Sequence, residues 1–401
     1  NLIRSDAFKG RVQVMVSFGN GISGLENANL AFGALVRSLM LETKVGRGVQ
    51  ARTMKKALES KGIEELDAGV TKDHLYWSGV GRDAEDVEAF LSAVLAWMVA
   101  GNVSEEDYDD QIERLGRVVE RSMDPSSTVQ LDRMLHEADE RLQRFYGQED
   151  VDALEFAGVR QWLRAVREEA YIEITVVGDV EPRTVLRDVR KTFGSAPART
   201  GKVMQPRHGG AARWSEPGVK RDTFEMQGKM GNLTLLFPQV AEKSCANDRM
   251  HLVFLPLFEE HLRRALAEHP VWVSNLSVET FGHEMIPLSN AIQVQLFCSS
   301  EEAEAAEALL LESAESFEAS LTEPYLRAAE RNALLGLKRI ARSQSALVEV
   351  FDQSQGRPNT LGCVLDLLDD GFGVSFDEYK EVASEQFSKD NVRGVSLMPA
   401  E

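Results

Sequence analysis

The second half of the sequence repeats, in the same order, segments that occur in the first half. Phe224 in RDTF lies 216 positions after Phe8 in SDAF, and Tyr325 in TEPY lies 217 positions after Tyr108 in EEDY. The strand-like segment DNVRGVSLM matches the segment that begins at Ala170, at a distance of 220 positions. The identities are sparse, but the order and the spacing agree over the whole length. This pattern predicts an internal duplication and therefore two similar domains.

Hydrophobic periodicity predicts that each domain combines strands with long helices. Because the strands and helices do not alternate strictly, the order favours an α+β fold. The Pro-, Gly- and Arg-rich stretch 199–217 has no periodicity and predicts a flexible linker between a domain at 1–198 and a domain at 218–401. In the first domain we predict strands at 11–18, 74–81 and 171–182, and helices at 28–41, 84–101 and 185–194, with a further long helix capped by Ser104.

The charge balance limits the classes of partner. The net charge is −19, with 43% hydrophobic and 27% charged residues, as in a globular protein with an acidic surface. Nucleic acid and anionic membrane surfaces repel such a chain, so neither is an expected partner. No apolar run reaches the ~18–20 residues of a membrane span. No signal peptide is visible, although the chain begins at Asn1 and not at Met.

Three glycines near the N-terminus raise the question of a nucleotide site. Gly19, Gly21 and Gly24 have the spacing G-x-G-x-x-G between a predicted strand and a predicted helix. A dinucleotide-binding loop also needs an acidic residue at the end of a second parallel strand about 20 residues later. Here the sequence after Glu42 is polar and helical. A tight corner explains the glycines equally well, and a nucleotide-binding enzyme is kept as a remote alternative.

The histidines and cysteines form no recognisable metal motif. Neither H-E-x-x-H nor H-x-x-E-H occurs, and the His-Glu pairs at 136–137 and 283–284 lack a second histidine at the required spacing. Cys245, Cys298 and Cys363 are widely spaced and suggest neither a metal site nor a disulfide framework. We therefore expect an odd, buried thiol.

The segment LFEEHLRRALAEHPVWVSNLS at 257–277 carries the candidate substrate-binding residues. It predicts an amphipathic helix that continues into a strand through a tight junction at Pro270. Arg263, Arg264 and Trp272 could project into a shared cleft, where an arginine fork would suit peptide carbonyls or carboxylates. The alternative stays open that the arginines are charges at the rim of the domain and that the indole of Trp272 lies in the core.

Two further acidic features have a simple surface interpretation. Glu113 and Glu120 lie seven positions apart and therefore on one helix face, but three arginines on the same helix would pair with them. The helix at 299–320 is rich in glutamate, and its apolar stripe is expected to face the core. Both predict solvated helix faces.

Taken together, these segments resemble one peptidase family. The first strand, the FGNG corner and the helix behind it, followed by KALESKGIE and HLYWSGVGRDAEDVEAFLSAVLAWM, resemble the pitrilysin/insulinase (M16) metallopeptidases. The segment EITVVGDVEPRTVLRDVRKTFGSAP resembles the one that closes each M16 domain. The resemblance covers nearly all of the chain, and it is to the C-terminal, non-catalytic half of the two-half bacterial members.

The resemblance implies an architecture and the absence of a metal site. It implies two tandem, duplicated two-layer α/β domains of the M16 (LuxS/MPP-like) type. The catalytic half of the family holds zinc on an H-x-x-E-H helix with a downstream glutamate. The corresponding helix here, NLAFGALVRSLML at 29–41, has apolar residues and Arg37 instead. Glu113 and Glu120 resemble the downstream glutamates in spacing, but without histidines they cannot hold zinc. We therefore expect no catalytic residue and no metal in this chain, and zinc in its partner.

The resemblance also implies a role. This half would form the wall of a chamber and help to bind unfolded peptides, together with a catalytic half that lies upstream in the same polypeptide or is a separate subunit. Arg263 or Arg264 resembles the substrate-contacting arginine of the family, and Trp272 stands where the family has a tyrosine. The chain alone is expected to be inactive. A stand-alone peptide-binding or scaffold protein is the alternative. A homodimer, and the bacterial periplasm or cytoplasm as the compartment, stay open.

Overall fold

The chain forms two compact units, each built around one sheet. The computed structural model of the protein describes residues 1–19, 21–22, 29–42, 44–45, 49–71, 74–122, 127–139, 142, 145–196, 212–224, 230–240, 245–282, 290–340, 342–352, 362–363, 366–369 and 371–399. The first unit comprises Asn1–Met123, Tyr146–Arg207 and Lys338–Leu361, and the second comprises Asp124–Phe145, His208–Leu337 and Gly362–Glu401. The sequence boundaries 1–198 and 218–401 stay a prediction.

A mixed five-stranded sheet is the framework of the first unit. The strands of this unit are β1 (Leu2–Arg4), β2 (Val12–Gly19), β3 (Lys44–Val45), β4 (Val49–Gln50), β5 (Glu64–Val70), β6 (His74–Gly81), β7 (Gly101–Asn102) and β8 (Ile172–Gly178). The order is β1-β8-β2-β6-β5, while β4-β3-β7 form a small separate sheet. Only β1 and β8 of the large sheet run parallel, and β2 is antiparallel to both of its neighbours.

Two helices of the first half of the sequence begin at capped residues. Asp83 accepts hydrogen bonds from the backbone N–H groups of Glu85 and Asp86, and Ser104, the cap that the sequence predicts, accepts one from that of Asp107. The helices are α1 (Leu30–Glu42), α2 (Ala51–Ser60), α3 (Ala84–Ala100), α4 (Glu105–Ser122), α5 (Ser127–Ala138), α6 (Gln148–Asp152), α7 (Phe156–Glu169) and α8 (Pro182–Lys191). All of them except α5 belong to the first unit.

The second unit repeats this sheet strand for strand. Its strands are β9 (Gly218–Phe224), β10 (Met230–Pro238), β11 (Leu276–Phe281), β12 (Ala291–Ser299) and β13 (Arg393–Pro399). The order β9-β13-β10-β12-β11 reproduces β1-β8-β2-β6-β5, and again only the first pair is parallel. The helices of the second half are α9 (Cys245–Ala265), α10 (Pro270–Ser274), α11 (Ala303–Ser320), α12 (Glu323–Ile340), α13 (Gln344–Phe351) and α14 (Phe376–Gln386). The predicted duplication and the α+β fold class are confirmed.

Each sheet has one face that packs on a helical core. In the first unit Val14, Val16 and Phe18 of β2 enter this core, and in the second unit Leu233, Leu235 and Phe237 of β10 do so. The alternation of β2 places every second residue on the same face. Each core contains one cluster of buried aromatic residues. These are Phe18, Trp77, Phe90 and Trp97 in the first unit, and Phe237, Phe254, Phe258, Phe317, Tyr379 and Phe387 in the second.

The other face of each sheet is covered by a helix from the opposite half of the sequence. Helix α13 packs on β2 and β8, where Val348 meets Met15 and Val177. Helix α5 packs on β10 and β13, where Leu131 is buried beside Leu236. Since α13 begins 217 positions after α5, the exchange of helices follows the duplication. Each unit is therefore completed by residues that lie far away in sequence.

The structure contains one strand that was not predicted and differs from the prediction at the Pro270 junction. The polar segment EELDAGV forms the edge strand β5, although its sequence has little strand character. Pro270 begins the short helix α10 rather than a direct junction to a strand, because proline fits the first turn of a helix. Residues 199–211 of the predicted linker lie outside the described residues, whereas Trp214 packs against Phe281, with 5.8 Å between the ring centroids.

The cysteine prediction is wrong for two of the three residues. Cys245 and Cys363 form a disulfide between residues 118 positions apart, and their Cα atoms are separated by 5.2 Å. Sequence spacing cannot reveal such a pair, because the fold brings the start of α9 next to a distant segment. Cys298 is the free, buried thiol that the odd count predicts.

His251 makes the second unit sensitive to acid. The side chain is buried on α9, and this burial lowers its pKa to about 4, although a hydrogen bond to the carbonyl of Ala291 partly opposes the shift. The unfolded chain takes up a proton near pH 6.5 and the folded chain only near pH 4, so stability is lost as the pH falls between these values. We expect a loss of about 2 kcal/mol at pH 5.

This prediction is checked by urea unfolding at pH 7 and pH 5. The variant His251→Gln should lose most of the difference between the two pH values. His136→Gln, at an exposed histidine on α5, is the matched control and should behave like the wild type. An unchanged pH dependence in His251→Gln would contradict the assignment.

Candidate functional site

Helix α1, which the sequence resemblance matches to the zinc-binding helix of M16 catalytic halves, contains no histidine. Helix α1 turns an apolar face to the core, and its Arg37 pairs at 2.9 Å with Asp67 of β5. The buried residues of α1 are Ala31, Phe32, Leu35, Val36, Leu39 and Met40. In the described part of the chain, no group of three or more His, Cys, Asp or Glu side chains could hold a metal ion. A zinc ion of the M16 type does not fit the residues of α1.

Packing against Tyr171 explains the glycine at the end of β2. Gly19 ends β2, and a Cβ atom there would lie 2.2 Å from the ring of Tyr171, so only glycine leaves room for this ring. The N–H of Gly19 also donates to the carbonyl of Tyr171 at 3.0 Å. A dinucleotide fingerprint opens a parallel βαβ unit, whereas β2 is antiparallel to both neighbours. Gly24 lies outside the described residues. The geometry thus favours the corner over the nucleotide alternative.

Trp272 is a core residue in this structure. Its side chain is 2% exposed, and its ring stacks on His269 with 3.9 Å between the centroids and 7° between the planes. The indole N–H donates to Glu302 at 3.2 Å, and this bond, after a stronger one from Ser299, lowers the pKa of Glu302. The ring therefore has neither an exposed face nor an unused donor.

Arg263 joins three elements through its guanidinium group. It donates to the carbonyls of Val273 at 2.8 Å and Leu276 at 3.2 Å, and to Glu259 at 2.9 Å. These bonds satisfy carbonyls at the end of α10 and the start of β11. Arg263 therefore fixes the entry of the chain into the edge strand β11.

Arg264 lies on another side of α9 and is open to solvent. Its side chain is 67% exposed, and it pairs with Glu260 one turn earlier. Its guanidinium carbon stands over the ring of Tyr325 at 5.6 Å from the centroid. Burial and the hydrogen bond to Glu260 raise the pKa of Tyr325 to about 12, so the phenol keeps its proton at neutral pH.

The structure therefore does not gather the three predicted residues into one cleft. Arg263 and Trp272 belong to the junction of α9, α10 and β11, whereas Arg264 faces α12. Among the predicted residues, Arg264 is the most exposed to solvent, with 67% of its side chain accessible against 39% for Arg263, and it presents a cation next to a phenol. Tyr325 was noticed in the sequence only as a repeat of Tyr108. Its place beside Arg264 depends on the packing of α9 against α12, which local patterns do not show.

A polar cluster under α13 was not predicted. Ser17 of β2 donates to Asp352, and Asp352 also pairs with His74 at 3.3 Å. Nδ1 of His74 lies 3.1 Å from the hydroxyl of Thr71. Ser17 is fully buried, and its polar side chain in a strand of valines was the one available signal. The cluster ties the end of α13 to the first sheet.

Of the remaining acidic features, Glu113 on α4 is exposed, whereas Glu307 on α11 is buried. The carboxylate of Glu113 is 70% exposed and pairs at 2.7 Å with Arg117, four residues later on α4. Glu120 lies on the same helix. Helix α11 buries an apolar stripe that includes Leu310 and Phe317, as predicted. In the described residues no helix is both long and apolar enough to cross a membrane.

The three-dimensional comparison is more informative than the comparison of sequences. No protein-family model matches the sequence, and no curated protein is significantly similar to it. The inactive M16 peptidase domain from Pseudomonas fluorescens is 16% identical, with a TM-score of 0.76 over 100% of this chain and 95% of that chain. A protease from Helicobacter pylori is 14% identical, with a TM-score of 0.78 over 99% of this chain and 96% of that chain.

A third structure is much longer than this chain. The periplasmic protease PqqL from Escherichia coli is 12% identical, with a TM-score of 0.77 over 99% of this chain but only 44% of that chain. This chain thus spans less than half the length of PqqL. At such identities the likeness establishes the fold. The chain has the M16 peptidase fold, with two duplicated α/β units, and the resemblance seen in the sequence is confirmed at the level of the fold.

Proposed function

We propose that this chain is the non-catalytic half of an M16-type zinc metallopeptidase. It forms part of the wall of a chamber and contributes to peptide binding, while a second half carries the H-x-x-E-H helix and the zinc. The observation that carries the proposal is the apolar face of α1, in a fold whose relatives include an inactive M16 domain. The match to 44% of PqqL supports the idea of a half of a larger enzyme.

The proposed contribution to catalysis is enclosure and orientation. An enclosed peptide loses translational and rotational freedom before the reaction, which lowers the entropic part of the barrier at the zinc centre of the partner. No residue of this chain is assigned to bond cleavage. The net charge of −19 favours basic peptides over acidic ones.

The pairing is tested by mixing this chain with a separately produced half that contains H-x-x-E-H. The proposal expects a 1:1 complex in sedimentation or size-exclusion experiments. The sequence upstream of Asn1, or a neighbouring gene, is the first source for that half. If the halves stay apart, and this chain binds unfolded peptides by itself, the stand-alone binding or scaffold function is favoured instead. That second function has support from the Pseudomonas structure, an inactive M16 domain of which this chain covers 95%.

Within the proposed function, Arg264 is the residue we assign to peptide contact. Arg263 and Trp272, the other predicted substrate-binding residues, would act by fixing α10 and β11. Arg264→Ala is expected to weaken binding of an unfolded peptide by about tenfold, because one charge-assisted hydrogen bond is worth roughly 1.5 kcal/mol or more. Its effect on folding should stay within about 0.5 kcal/mol, since its ion pair with Glu260 is exposed.

Fluorescence anisotropy with a labelled unfolded peptide measures this effect. The matched control is Arg164→Ala on α7, where an exposed arginine pairs with Glu168 in the same i, i+4 geometry. The control should bind the peptide like the wild type. Equal affinities in Arg264→Ala and the wild type would remove Arg264 from the peptide-binding surface.

A further inference from the structure

The disulfide lies where the chain returns to the second unit. After Leu337 the chain contributes Lys338–Leu361, with α13, to the first unit, and it rejoins the second unit at Gly362. Cys363 is the next residue, and it is bonded to Cys245 in the first turn of α9. The bond therefore holds the segment that begins at Gly362 to helix α9 within the second unit.

Non-covalent contacts hold the same segment in place. Arg249, one turn after Cys245 on α9, donates to the carbonyl of Cys363 at 3.4 Å and to that of Phe372 at 3.2 Å. Phe372 belongs to the core of the second unit. The Cα separation of 5.2 Å lies within the range of about 4.4–6.8 Å that disulfides require. Because the backbone is held independently of the sulfur atoms, the two cysteines are positioned for bond formation in the folded chain.

The third cysteine, Cys298, is poorly placed to take part in disulfide formation. Cys298 is 1% exposed in the core, whereas Cys245 and Cys363 are only half-buried. Burial raises the pKa of the Cys298 thiol to about 11. Thiol–disulfide exchange proceeds through the thiolate, so Cys298 is a poor competitor for either partner. The fold thus separates one pair that can be oxidised from one protected thiol.

We propose that Cys245–Cys363 is a structural clasp that holds the segment beginning at Gly362 to α9, and that the protein matures in an oxidising compartment. Two thiols lose two electrons and two protons to a protein disulfide donor, whose own disulfide is reduced to a dithiol. Disulfides form and persist in the periplasm and outside the cell but are rare in the cytosol. The clasp also closes a loop of 118 positions, which limits the freedom of the unfolded chain.

The bond itself is tested by counting thiols. Protein that has been prepared without reductant is unfolded in guanidinium chloride with an alkylating reagent, and its intact mass is measured. The proposal expects one alkylated cysteine per chain, and three after treatment with dithiothreitol. The variant Cys298→Ala should give none before reduction and two after it. Three alkylated cysteines in protein that was exported to the periplasm and prepared without reductant would overturn the proposal.

The role as a clasp is tested by stability. Reduction of the wild type is expected to lower the folding equilibrium constant by roughly three- to four-thousandfold, from the loop length alone. Hydrogen exchange in the first turns of α9 should accelerate on reduction. Cys298→Ala should respond to the reductant like the wild type, whereas Cys245→Ser/Cys363→Ser should not respond. If reduction shifts the double variant as much as the wild type, or shifts neither, the clasp is refuted. None of these outcomes depends on peptidase pairing.

Discussion

Trp272→Ala is expected to destabilise the second unit by about 3–5 kcal/mol, the usual cost of removing a buried tryptophan. The indole is 2% exposed, so its removal leaves a cavity beneath α10 and β11. The change also removes the stacking partner of His269 and leaves Glu302 without its indole donor. Urea unfolding followed by fluorescence or circular dichroism measures this loss.

A matched variant separates the ring from its hydrogen bond. Trp272→Phe keeps an aromatic ring in the core but loses the bond to Glu302 and part of the buried indole volume, which together should cost about 1–2 kcal/mol. This pair of variants decides between the two roles that the sequence leaves open for Trp272. If Trp272→Ala unfolds like the wild type but binds peptide poorly, the indole is a substrate contact and its assignment to the core is wrong.

Asp352→Ala is expected to cost about 3 kcal/mol and to loosen α13, because it removes the buried carboxylate that accepts the hydrogen bond of Ser17. Asp352 accepts the hydrogen bond of the buried Ser17 and pairs with His74 at 3.3 Å. Beside it, the carbonyl of Phe351 accepts a bond from Asn1 at 2.7 Å. At the other end of α13, Gln344 donates to the carbonyl of Val177 at 2.7 Å.

The matched control for this variant lies on the same helix. Glu349→Ala changes an exposed acidic residue of α13 and should leave stability within about 0.5 kcal/mol of the wild type. Hydrogen exchange in α13 should be faster in Asp352→Ala and unchanged in Glu349→Ala. Similar exchange in both variants would show that the polar cluster does not anchor the helix.

The local patterns were sufficient for the secondary structure and the repeat. Apolar alternation identifies β2 and β8, and the helical stripe behind Asp83 identifies α3. Because each of these elements buries a continuous apolar face, its signal is contained within its own segment. The repeat then carries the same assignment to the second half. The edge strand β5 was missed, because most of its first residues are exposed and polar.

What the sequence could not predict is which distant segments meet. An amphipathic helix such as α13 shows that it has an apolar face, but not that this face belongs on the sheet of the other half. The disulfide and the contact of Arg264 with Tyr325 depend on the same kind of long-range packing. The polar cluster depends on it too, since Ser17 and Asp352 are 335 positions apart. Candidate sites of this kind need the fold before they can be assigned.

The measurement that tests the central claim most directly is zinc content together with peptidase activity, for this chain alone and for the chain paired with an H-x-x-E-H half. The account predicts that the chain alone binds no stoichiometric zinc and does not cleave an unfolded peptide. It also predicts that the paired complex cleaves the peptide at least about a hundredfold faster than the catalytic half alone, because the peptide is enclosed and oriented. Stoichiometric zinc and cleavage by the isolated chain would contradict it.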